Sequence, residues 1–204
     1  MKTQIEQFAL GFILAPLAPI AGLLAFWWAS YTLAPEGWIP YLVLSGLALG
    51  ILADIYILKR LILRAYRLGT VFWLVVLLFY SVGTFGFFMS VPIFNAALAV
   101  PAGFVVGGKL AREAVDTVRL RRVSRRACIL TTALMALVCA ASATVALLSP
   151  STPSDLRGML GLGFEVTQTM IWGLILIGGA GLLAVNWVLT GLSVHLTHRF
   201  LSKA

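Results

Sequence analysis

The chain has 204 residues, of which 61% are hydrophobic and only 11% charged, with a formal net charge of +8. Soluble domains carry roughly 45–50% apolar and about 25% charged residues, so this composition excludes an ordinary soluble enzyme, a disordered chain and a nucleic-acid-binding domain. In a membrane protein, surplus Lys and Arg records topology rather than a polyanionic partner.

A helix crossing the hydrocarbon needs about 20 mainly apolar residues. Six stretches meet that requirement, and the expected fold is an all-α, polytopic integral membrane protein forming one six-helix domain. The first span covers about 8–29 and ends in Phe26, Trp27 and Trp28, which suit an interfacial belt better than a signal-peptide cleavage site. After the turn Ala34-Pro35-Glu36-Gly37 comes a second span over about 41–58. The third (about 71–89) and fourth (about 93–108) are separated only by Ser90-Val91-Pro92, which predicts an antiparallel pair. A fifth follows over about 128–148 and a sixth over about 169–190, with helix continuing to about residue 197. Between the last two, 149–168 forms an extracytoplasmic loop in which Leu156 and Leu162 suit the outer interface.

Of the fifteen Lys and Arg, all but Arg157 fall on one side of this arrangement, from Lys2 to Lys203. Short basic loops stay cytoplasmic, so both termini are expected inside, in the plasma membrane of a bacterial or archaeal cell. The connection over 109–126 reads as a basic helix extending the fourth span. Arg119, Arg122 and Arg126 recur on one face of it, a pattern that suits anionic phospholipid headgroups.

Polar groups within spans are the best functional pointers, because lipid penalises unpaired polarity. Asp54 is the acidic residue well inside a span, and its own helix offers Ile57 and Leu58 at i+3 and i+4. Counted along the helix, Asp54 lies roughly 8 Å from the basic boundary, a depth shared by Lys109 and Asn186. An Asp54–Lys109–Asn186 cluster near the cytoplasmic mouth follows as an expectation, with Tyr56 and His195 as outer members. It has two meanings, a salt bridge that fixes packing or a proton- or cation-linked site.

Prolines supply the second pointer. Pro16 and Pro19 interrupt the first span, while Asn95 and Pro101 lie in the fourth, the opening helices of two three-span halves. Each interior proline frees a carbonyl, and broken helices at matching places mark the midplane sites of transporters built from inverted repeats. Gly46 and Gly50, and likewise Gly103 and Gly107, form Gly-x-x-x-Gly faces for close helix contact.

Other chemistry is missing. His195 and His198 sit at the end of the sixth span, where they do not form a bis-histidine haem site. Cys128 and Cys139 lie too far apart along one helix for a disulfide. Glu113 and Asp116 read as helix-face partners for Arg112 and Arg119 rather than metal ligands. No cofactor and no metal are expected. Three function classes fit: a solute permease or membrane subunit of a transporter; a non-catalytic complex, assembly or lipid-organising subunit, alone or as a homo-oligomer; and a membrane enzyme acting on lipid headgroups at the basic surface.

Overall fold

The computed structural model describes residues 2–88, 91–161 and 163–202. Met89, Ser90, Leu162 and Lys203 lie outside the described residues, so the end of the third span and the turn after it are not placed. Among the described residues the chain is helical, without strands. Six helical stretches are long and apolar enough to cross a membrane: Gln4–Leu33, Glu36–Arg67, Thr70–Phe87, Pro92–Arg112, Thr117–Leu148 and Gln168–Ser202.

The distribution of polarity is that of a lipid-solvated protein. Asn95, Thr131, Asn186 and Thr190 are buried, Thr190 completely, whereas Ile177 is 79% and Phe12 77% exposed. Water would expel such an apolar surface, and a bilayer accepts it.

Two compact units divide the chain, Met1–Thr70 and Val71–Ala204, where the sequence suggests one domain. The boundary follows the second span, so the compact units do not coincide with two three-span halves.

In the first unit, α1 (Lys2–Leu14) and α2 (Leu17–Leu33) form one interrupted span, and α3 (Ile39–Arg64) packs back along them. Pro16 stands as the N-cap residue of α2, and Pro19 falls in its first turn, where a missing N–H removes no helical bond of α2 itself. The interruption at Ala15–Pro16 leaves the flanking turns bonded: Ala15 N–H donates to Gly11 O at 2.8 Å and Ile20 N–H to Pro16 O at 3.0 Å.

In the second unit come α4 (Thr70–Phe87), a 3₁₀ segment Pro92–Leu98, α5 (Ala99–Arg112), α6 (Thr117–Leu148), α7 (Thr152–Leu160), α8 (Gln168–Gly173), a π-helical turn Leu174–Gly178 and α9 (Gly179–Ser202). The basic connection does not extend the fourth span. Ala114 adopts a left-handed φ of 47°, which breaks α5. Asp116 then caps α6, its side chain accepting from Arg119 N–H at 3.1 Å. The arginines therefore belong to the start of the fifth span. Pro101 likewise interrupts nothing, since it lies in the first turn of α5; the irregular backbone is the 3₁₀ run before it, which at seven residues is longer than such runs usually are.

The glycines set how α5 meets α9. A Cβ on Gly103 would stand 2.6 Å from Ser193 Cβ and against Thr190 O, and one on Gly107 would meet Val194 O and Thr197. Both helices therefore advance together, parallel and in close contact. Leu110, Leu120 and Val194 form a buried apolar cluster at the basic end, flanked by Val106, Val115 and Val123.

Candidate functional site

The second unit carries a polar seam where the start of the fourth span meets the middle of the fifth and sixth. Asn95, on the 3₁₀ segment, is 4% exposed; its Nδ2 donates to Ser81 O of α4 at 2.9 Å. Asn95 Oδ1 is buried and has no hydrogen-bond partner among the described residues. Asn186 of α9, also buried, donates from Nδ2 to Thr132 Oγ1 of α6 at 3.4 Å. One turn further, Thr131 Oγ1 and Thr190 Oγ1 lie 2.9 Å apart. Thr131 Oγ1 also donates to Cys128 O at 3.2 Å and Thr190 Oγ1 to Asn186 O at 2.9 Å. Two hydroxyl protons thus serve three contacts, so one contact is always unmade and the pair has alternative proton arrangements.

Ser81, Asn95, Thr131 and Asn186 line a cavity of about 10 Å³ together with Leu77, Leu98, Met135 and Val138 among others. That is close to the space needed by one water-sized species. Along α9 the order is cavity, hydroxyl pair, then the apolar cluster around Val194 towards the basic end.

The predicted three-residue cluster does not form as its depth count requires. The pairing of Gly103 with Thr190 and Gly107 with Val194 sets Asn186 level with the start of α5, whereas Lys109 lies near its end, roughly 15 Å further along the axis. The sixth span runs from Gln168 to Ser202, which puts Asn186 near its middle. Asp54 belongs to the other unit. There Gly50 packs against the backbone of Ala18 and Pro19, and Gly11 faces Ile62. Asp54, one turn beyond Gly50, therefore lies between those contacts, level with the Ala15–Pro16 interruption, and is half-buried. Tyr56 is 76% exposed and lies off that face. His195 is exposed, its Nδ1 2.8 Å from Gly191 O.

At the basic end, Glu113 Oε2 accepts from Arg119 Nη2 at 2.7 Å. The pair spans the break between α5 and α6 and does not form along one helix face as the spacing suggests. Arg122 and Arg126 are exposed on α6. Both cysteines are free, and Cys128 Sγ–H points to Trp187 O at 3.6 Å. Among the described residues no three His, Cys, Asp or Glu converge as metal ligands.

Sequence reasoning missed several buried polar residues, among them Ser81 at the cavity, Glu6 and Thr190. Glu6 lies 6% exposed on α1, and its spacing with buried Leu10 and Leu14 at i+4 and i+8 is the signal that places it on the packed stripe. Thr190 carries a weaker signal, four residues beyond Asn186 on one face. Comparison with protein-family models, curated proteins and solved structures returns no match, so function rests on geometry.

Proposed function

We propose that this protein is a small solute permease, or the membrane subunit of a transporter, whose working site is the polar cavity of the second unit. The observation that carries this reading is Asn95 Oδ1, a buried acceptor without a partner among the described residues, on a stretch of non-α-helical backbone inside a span. Irregular backbone at membrane depth is tolerated where protein or a polar cavity satisfies it, and such segments form transporter sites. The cavity's size limits the solute in this conformation to an ion or a molecule as small as water. The basic ends face the cytoplasm in a bacterial or archaeal plasma membrane, where Arg122 and Arg126 contact anionic headgroups.

Reconstitution into liposomes loaded with a proton- or cation-sensitive dye tests this. Flux above that of protein-free vesicles, reduced at least tenfold by Asn95→Leu, is expected; flux equal to the protein-free control contradicts it.

A second reading, a subunit of a larger membrane complex, is favoured by Gly83, Gly86, Gly179 and Gly181, where an added Cβ meets nothing within 4 Å among the described residues. These open small-residue positions suit a partner helix. Purification in mild detergent with a stoichiometric partner supports it. The lipid-enzyme reading loses ground, because Glu113 is paired with Arg119 and Asp116 caps α6.

A further inference from the structure

We propose that Asp54 and the backbone carbonyl of Ala15 form a proton-binding site in the first unit, the protonated carboxyl donating to Ala15 O. The site is separate from the Asn95 cavity, which belongs to the second unit, and it does not rest on the transport reading.

Proline chemistry supplies the acceptor. In a continuous helix Ala15 O would accept from the N–H of residue 19, and Pro19 has none. Ala15 falls between α1 and α2, so its carbonyl is left over at the interruption. Register supplies the donor. A Cβ on Gly46 would stand against Gly22 O, and one on Gly50 would stand 2.6 Å from Pro19 Cα and against Ala18 O. The two helices are therefore antiparallel. Asp54 follows Gly50 by four residues and Ala15 precedes Pro19 by four, so they come level one turn from that contact. Asp54 continues the buried stripe of Val43, Gly46 and Gly50 at i+4. It is half-buried, whereas Ile55, Tyr56 and Ile57 beside it are exposed on the lipid side.

No cation neutralises this carboxyl. Among the described residues Asp54 makes no ion pair and no hydrogen bond to another side chain. From the elements packed on α3, α2 presents no Asp, Glu, Lys, Arg or His. α1 carries Lys2 and Glu6, and Glu6, the nearer, lies roughly 13 Å from Ala15 along the axis. Glu36 and Arg67 stand at the two ends of the span. On α3 itself Lys59, Arg60 and Arg64 are exposed, five or more residues further towards the basic end. A carboxylate beside a bare carbonyl at membrane depth sets acceptor against acceptor, with no water to part them. One proton satisfies both: the carboxyl becomes a donor, and the carbonyl regains the hydrogen bond that Pro19 denies it. Proton occupancy thus ties the break between α1 and α2 to α3, and release of the proton loosens that joint.

Infrared spectroscopy of the full-length protein in liposomes at neutral pH tests this. The spectrum should contain the C=O stretch of a protonated carboxyl, and Asp54→Asn, which keeps an N–H donor for Ala15 O, should remove it. Isotopic carbon in the aspartate carboxyls should shift the same band, a readout that serves where the variant does not fold. Only Asp54, Asp116 and Asp155 take that label. The last two are exposed and act as acceptors, from Arg119 N–H and from Ser151 Oγ. Pro19→Ala restores an N–H for Ala15 O, so the carboxyl loses its acceptor and its band should move to higher frequency. Absence of any band that responds to the label or to Asp54→Asn leaves Asp54 ionised and overturns the proposal. A band that responds to both and is unmoved by Pro19→Ala overturns Ala15 O as the partner.

Discussion

Close packing at single residues sets the tolerance of this protein. In the first unit the α2–α3 contact exists because Gly22, Gly46 and Gly50 carry no Cβ: a methyl on Gly50 runs into Ala18 O and the Pro19 backbone, and one on Gly46 stands 2.6 Å from Phe26 Cβ. Backbone atoms on both sides leave little room for relaxation. Gly50→Leu should therefore destabilise the protein by about 3 kcal/mol or more through overpacking, read as a lowered unfolding midpoint. Gly83→Ala is the contrast. Among the described residues nothing comes within 4 Å of a Cβ there, and alanine gains up to about 1 kcal/mol of helix propensity, so its midpoint should hold or rise. The Gly-x-x-x-Gly spacing made the first contact readable. It did not distinguish Gly46 from Gly83, because helix periodicity says which residues share a face and not what lies opposite.

At the level of elements, the basic connection shows where periodicity misleads. Leu110, Val115, Val118 and the arginines fit a continuous helix, yet Ala114 at φ 47° and the Asp116 cap divide it. An alanine in the left-handed region costs roughly 1–2 kcal/mol, which glycine avoids. Ala114→Gly should thus stabilise by up to about 1 kcal/mol after its greater unfolded-state freedom is deducted. Asp116→Ala, which leaves an amide of the first α6 turn uncapped, should destabilise by about 1 kcal/mol. Opposite shifts of the melting midpoint for these two variants check the break; similar shifts contradict it. The six spans were legible because apolar length is a property of consecutive residues. The 3₁₀ run at Pro92–Leu98, the π-turn at Leu174–Gly178 and the level of Asn186 were not, because each depends on how α4, α6 and α9 meet around the second unit.

Across the whole molecule, a bilayer explains the apolar exterior, the buried amides and hydroxyls, and the concentration of Lys and Arg at one end of the spans. Within that setting, a polar cavity among the spans is the site we propose, whereas the same cavity in a soluble bundle would be a packing defect. The grouping of Asp54 with Lys109 and Asn186 was the part of the sequence reading that depended on exact depth, and within the second unit Lys109 and Asn186 lie at different levels. Orientation carries the remaining weight. The direct measurement is labelling of intact cells with a membrane-impermeant maleimide, using Ser154→Cys and Arg122→Cys variants in which Cys128 and Cys139 are replaced by alanine. Labelling at position 154, with position 122 reached only after the membrane is opened, is the predicted result. Labelling at position 122 in sealed cells would contradict the arrangement on which the site and its solute path are built.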